Sequence, residues 1–106
     1  MLKPFFIRQD KVLKRIDPQQ VIALSTEKNY TKVVLSDKST FLIRSSLASA
    51  IKKLPSDMFV RINRSEVASI YYINNIDRYN LFVGGEPAYI GKGFYKGFIS
   101  KLTIME

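Results

Sequence analysis

Apolar residues along this chain fall mostly in short runs with a period near two, separated by polar or glycine-containing breaks. Pro4-Phe5-Phe6-Ile7-Arg8 is one such run. Lys11-Val12-Leu13-Lys14-Arg15-Ile16 follows after Gln9-Asp10, as the second strand of a hairpin would. Val21 to Leu24 is almost continuously apolar, which predicts a strand covered on both faces. Asn29 to Leu35 is rich in β-branched residues and carries Tyr30. Ser36-Asp37-Lys38-Ser39 reads as a turn and Thr40-Phe41-Leu42-Ile43-Arg44 as the returning strand, a β-meander spacing.

The period then changes. Leu47, Ile51 and Leu54 share one helical face, Ser45 or Ser46 can cap the first turn, and Pro55 stops the helix. Lys52 and Lys53 suit its negative C-terminal end. Phe59-Val60-Arg61-Ile62 resumes the strand pattern and runs into polar Asn63-Arg64-Ser65. Alternation leaves one of Phe59, Val60 and Ile62 half-exposed. A mixed stretch covers Ser69 to Ile76. A hairpin follows, from Arg78 through Gly84-Gly85 to Ile90, with the glycines free to take positive φ. Gly93 to Ile104 places Phe94, Phe98, Ile99 and Leu102 against Lys96 and Lys101, an amphipathic helix. The expectation is one mostly-β unit over residues 1–106 (core about 4–102), with one short central helix and a C-terminal helix.

Composition narrows the chemistry. The 106 residues include neither cysteine nor histidine, so disulfides, cysteine zinc sites, thiol nucleophiles and the commonest general base are all excluded. The carboxylates are scattered, mostly at turns, and no glycine loop has the strand–loop–helix setting of a phosphate cradle. No enzyme, metal or cofactor is expected. The sequence has no membrane-length apolar run and no signal-peptide block, so a cytoplasmic protein without a membrane partner is the expectation. Lys and Arg number 17 against 9 Asp and Glu, a net charge of +8, which favours a polyanion.

The basic residues fall into three groups: Lys28-Asn29-Tyr30-Thr31-Lys32, then Arg61 with Asn63-Arg64-Ser65, then Lys92 with Lys96. Each mixes long cations with short hydrogen-bonding side chains, the mixture that holds phosphates and reaches base edges. A solvated strand end explains any one group equally well, and composition does not say whether the three converge. Arg61 has its own alternative, an ion pair with Glu66 or Asp57.

Four segments together resemble the LytTR-type DNA-binding domain, the output module of many bacterial response regulators. They are Val21-Ile22-Ala23-Leu24 with Lys28-Asn29-Tyr30-Thr31; Arg44-Ser45-Ser46-Leu47 to Lys53-Leu54-Pro55; Phe59-Val60-Arg61-Ile62-Asn63-Arg64-Ser65; and Ile90-Gly91-Lys92 with Phe94-Tyr95. The third is similar to the family's Phe-x-Arg-x-His-Arg-Ser pattern. The resemblance runs from Pro4 to Leu102. It implies an elongated multi-strand β-sheet or sandwich whose loops enter successive major grooves of double-stranded DNA, in a bacterial transcriptional regulator of a two-component system.

On that resemblance Thr31, Lys32, Asn63, Arg64 and Lys92 would contact bases. Lys28, Asn29, Tyr30, Arg61, Ser65 and Lys96 would contact phosphates. Paired direct repeats bound by two copies are implied, with a receiver domain or sensor partner supplied from outside these residues. The chain departs from the family at four places: Asn63 for histidine, Ser25 for a frequent glutamate, Glu66 for an aromatic, and Gly91-Lys92 for serine–arginine. Glu66 beside the contact tip would repel phosphates if it faced them. Two alternatives use other residues. A single-strand or RNA binder would stack bases on Tyr30, Phe41, Tyr71, Tyr72 or Tyr79. A protein-interaction module would use its basic face and Tyr71-Tyr72.

Overall fold

Two-sided burial organises the chain. The computed structural model describes residues 2–106; Met1, part of the expected 1–106 unit, lies outside the described residues. The strands are β1 (Phe5–Gln9), β2 (Val12–Ile16), β3 (Val21–Glu27), β4 (Tyr30–Leu35), β5 (Thr40–Ile43), β6 (Phe59–Asn63), β7 (Glu66–Ser69), β8 (Ile73–Asp77), β9 (Asn80–Val83) and β10 (Glu86–Tyr89). The helices are α1 (Leu47–Lys52) and α2 (Tyr95–Ser100). An antiparallel sheet of order β5-β4-β3-β7-β6 forms the middle layer, with the β1-β2 hairpin and a β10-β9-β8 sheet outside it.

The hairpin β1-β2 and α1 close one face of that sheet over Val21, Leu24, Val33, Phe59 and Val67. The outer sheet and α2 close the other, bringing Leu81 and Phe98 over Val60, Ile62 and Ala68. Hence Phe59, Val60 and Ile62 are all buried, and none is half-exposed as simple alternation predicts. Each such side chain contributes about 1.5–3 kcal/mol relative to exposure. The molecule measures 48 × 32 × 23 Å, so it is elongated.

Two β-bulges break the period-two rule. Val21 opposes Leu35 but Ala23 opposes Val34, so Ile22 is the extra residue. Val21 and Leu24, three apart, therefore enter the same core. In β6, Arg61 opposes Val67 and Asn63 opposes Glu66, so Ile62 is extra and consecutive Ile62 and Asn63 are both buried.

Three expectations need correction. Glu66–Ser69 is a full strand, β7, sandwiched between β3 and β6, where the sequence reading placed no strand. The meander holds for β3-β4-β5, but β7 then returns to pair with β3. The C-terminal helix is a 3-10 turn, Lys92–Phe94, plus one α segment ending at Ser100, rather than a helix over 93–104. Gly93 and Gly97 lower its helix propensity, and Phe98 is its one buried residue.

Local chemistry fixes the other ends. Ser46, not Ser45, caps α1, accepting from the Ser49 N–H at 3.1 Å. Gly84 and Gly85 take φ of +59° and +86° at the β9–β10 turn. A Cβ on Gly84 would stand 2.7 Å from Ile22 Cγ2, so β3 leaves it no room. Gly84→Ala is expected to destabilise by about 1–3 kcal/mol through steric overlap and positive φ. A urea unfolding midpoint equal to that of the parent chain contradicts this packing.

Candidate nucleic-acid interface

The three basic groups meet at one end of the middle sheet. The first is the two-residue turn Lys28-Asn29 between β3 and β4, with Glu27 opposite Tyr30. Lys28 has φ +54°, an uncommon value for a residue with a Cβ. The second is Arg64-Ser65 between β6 and β7, with Asn63 opposite Glu66. Thr26 N–H donates to Ser65 O at 2.9 Å, which docks the second turn beside the first. The third begins at Gly91, whose N–H donates to Ile62 O at 2.8 Å along the outer edge of β6. Across the end of the sheet the turns therefore run first, second, third.

Asn63 ties the second turn to the third. Its Oδ1 accepts from the Ser65 N–H at 2.9 Å, an Asx-type bond that shapes the tip. Its Nδ2 donates to Tyr89 O at 3.0 Å and to Glu66 Oε1 at 2.8 Å. The side chain is 1% exposed, so Asn63 does not present itself to bases as expected. The β6 bulge is the reason, because it turns the amide inward. Glu66 is thereby held against Asn63.

Thr31 is corrected in the same way. It is 1% exposed and donates through Oγ1 to Ser45 O at 2.7 Å, joining β4 to the entry of α1. Arg61, expected at phosphates, is half-buried and directs two donors back into its own turn as a clamp. Nε donates to Asn63 O at 3.1 Å and a terminal nitrogen to Arg64 O at 2.6 Å. Its guanidinium also sits 5.9 Å from the Phe94 ring centroid. It pairs with neither Glu66 nor Asp57; the ion pair among the described residues is Arg15–Asp17 at 3.6 Å. Lys32 is half-buried on the sheet face opposite Thr31 and Val33, set back from the tips.

The rest stand at the surface. Lys28, Asn29, Arg64, Ser65, Lys92 and Lys96 are exposed, and Tyr30 is half-buried. Arg44, which the sequence reading did not select, lies 5.9 Å from the Tyr30 ring centroid and extends the positive surface. Its signal was available: counting back from the Ser36–Ser39 turn pairs Ile43 with Thr31 and so brings Arg44 alongside Tyr30. Lys101 is structural, donating to Ser56 O at 2.7 Å and Phe59 O at 3.3 Å.

The aromatics named for the alternatives are dispersed. Phe41 is buried, Tyr79 packs edge-on to Tyr95 with centroids 5.2 Å apart, and Tyr72 donates to Gln19 O at 2.9 Å. Tyr71 is 66% exposed. Among the described residues, no group of acidic side chains is placed to hold a metal and no helix is long and apolar enough to cross a membrane.

The model of the LytTr DNA-binding domain family matches residues 11–103, and the chain belongs to that family. Among solved structures, it is similar to the LytTr DNA-binding domain of a Bacillus cereus protein described as a methyl-accepting/DNA response regulator. That match has a TM-score of 0.78 and 19% identity, covering 95% of this chain and 97% of that one. Curated proteins give no match. Membership makes DNA binding in transcription regulation the general function of the domain.

Asn63→Ala is expected to cost about 1–3 kcal/mol, because it strips partners from buried polar groups. It should also speed hydrogen exchange at the Ser65 amide. An unaltered unfolding curve together with unaltered Ser65 exchange excludes the latch.

Proposed function

We propose that the basic end binds double-stranded DNA sequence-specifically, with Arg64 reading a base and the flanking turns following successive major grooves. The observation that carries this reading is the junction of three basic turns, distant in sequence, through Thr26–Ser65, Asn63–Tyr89 and Ile62–Gly91 hydrogen bonds. Arg61 fixes the main chain at the tip, which leaves the exposed Arg64 guanidinium at the summit. A guanidinium can grip guanine O6 and N7 together.

Dimensions agree with the reading. The first and second turns are about two strand spacings apart, ~10 Å, against a major groove ~12 Å wide. Lys92 and Lys96 lie beyond β6, on the side from which the next groove can be reached. The 48 Å long axis exceeds the ~34–36 Å helical repeat. Lys92 takes a base or a nearby phosphate, as a point charge rather than a fork. Lys28, Asn29, Tyr30, Ser65, Lys96 and Arg44 hold phosphates. Two copies on paired direct repeats, in the cytoplasm, complete the proposal, with a receiver or sensor partner supplying control.

Selection of bound duplexes from a random pool at ~0.15 M salt, where distant charges are screened, should enrich a short motif repeated at about helical-turn spacing. No enriched motif means that the turns grip phosphates only. On the selected site Arg64→Ala should cost about 1–3 kcal/mol and flatten preference at one base pair; an unchanged preference removes Arg64 from base reading. Lys96→Ala should weaken all duplexes alike and lower the salt slope by roughly one unit. A slope equal to that of the parent chain removes Lys96 from the phosphate contacts.

A further inference from the structure

The two edges of the middle sheet are treated differently. Along the β6 edge, the Gly91 N–H occupies Ile62 O. The β5 edge has no paired neighbour. Its sequence, Thr40-Phe41-Leu42-Ile43, carries no charge and no proline, the usual guards of an open edge. Leu42 is 49% exposed there.

An open groove of about 900 Å³ runs beside this edge. Consecutive residues Phe5 to Arg8 of β1 line it, as do consecutive Leu42, Ile43 and Arg44. Neighbouring strand residues point to opposite faces, so only a groove along strand edges meets them all. The other edge of β1 is already paired with β2, so both walls present unpaired main chain. Leu24 and Val33 contribute an apolar floor, and Arg8, Arg44 and Lys53 stand around it against the single carboxylate of Asp10.

We propose that this groove docks an extended acidic peptide segment of a partner protein, which adds a strand to β5 while its carboxylates meet Arg8, Arg44 and Lys53. Free main-chain donors and acceptors are matched by another main chain, not by a lipid tail. The three cations select acidic side chains, and the floor takes the apolar residues that alternate with them. The register identifies the pairing atoms. Leu35 N–H donates to Ser39 O, and ladder alternation then directs Phe41 and Ile43 to β4. The Leu42 N–H and C=O face the open edge. Arg44 also covers Tyr30, so a carboxylate that draws Arg44 into the groove uncovers the first basic turn. The docking itself does not depend on the DNA reading.

The test is hydrogen exchange and chemical shifts of the 106-residue chain with a capped peptide of about eight residues alternating Glu and Val, and with its Lys–Val counterpart. The Glu–Val peptide should slow exchange at the Leu42 amide about tenfold or more while Phe41 and Ile43 change little; the Lys–Val peptide should do neither. Lys53→Glu should weaken binding about tenfold or more, the loss of one charge-assisted contact. Leu42→Pro, a substitution that strand edges tolerate, should keep the fold and abolish binding. Equal responses to both peptides, or no added protection at Leu42, overturn the proposal. Laurate shifting the floor methyls without protecting Leu42 would assign a small-amphiphile site instead. Protection that grows with protein concentration alone would assign the edge to a second copy.

Discussion

The basic end depends on one buried amide. Asn63 sits where the β6 bulge reverses the expected direction of a side chain, and it makes three hydrogen bonds, two within its own hairpin and one to Tyr89. One bond shapes the second turn from within. Another reaches across to β10, next to the start of the third. A primary amide suits the position because it offers an acceptor and two donor hydrogens in a fixed plane. Buried polar groups are costly unless satisfied, so this arrangement is close to all-or-none. Among the described residues no buried side-chain nitrogen or oxygen lacks a partner.

This geometry divides labour between two arginines three residues apart. Arg61, half-buried, donates to the carbonyls of Asn63 and Arg64 and lies near the Phe94 ring. Its charge stabilises main-chain oxygens that would otherwise point a negative dipole toward an approaching polyanion. Arg64 keeps its guanidinium outside. A rigid tip with one free fork loses less side-chain entropy on binding than two mobile arginines would. With a formal net charge of +8, long-range attraction to a polyanion does not require a third arginine at the tip. On the proposed reading, the tip is left to set register and discrimination.

Much of this was legible in the sequence, and the failures share a cause. Short apolar runs, most of them with period two, located eight of the ten strands, because alternation survives wherever a strand is regular. The central helix was legible from its apolar spacing, its serine cap and Pro55. Of the two missing strands, Glu66–Ser69 is four residues long and starts with a carboxylate, and Ile73–Asp77 is mostly polar, so neither shows a clear period of its own. Thr31 and Asn63, expected at the surface, are buried and Arg61 is half-buried, because side-chain type is not direction. Thr31 lies on the core face of β4, Asn63 follows a bulge, and Arg61 bends back to its own turn. Bulges are set by cross-strand register, which no single segment reveals. Convergence of the three basic groups was equally hidden, because it rests on hydrogen bonds between residues as far apart as Thr26 and Ser65.

The departures from the family pattern become intelligible once register is known, because they touch each other. Ser25 stands where glutamate is frequent, and in the β3–β7 ladder it lies directly opposite Glu66, which replaces an aromatic residue. Two carboxylates in these facing positions would repel, so a glutamate at 66 is compatible with serine at 25 and not with a second acid. Glu66 in turn accepts from Asn63, the residue that stands for histidine. Asn63 packs beside Gly91, where the family usually has serine. A Cβ on Gly91 would be 3.5 Å from Asn63 Cβ and 3.1 Å from Phe94 Cδ2, close enough that the ring would have to give way. Ser25, Glu66, Asn63 and Gly91 are therefore successive neighbours, while Lys92 stands exposed beside them. The Glu66 carboxylate is engaged by the Asn63 amide within this cluster, so on the proposed reading it is turned into the hydrogen-bond network beneath Arg64 and away from an approaching phosphate.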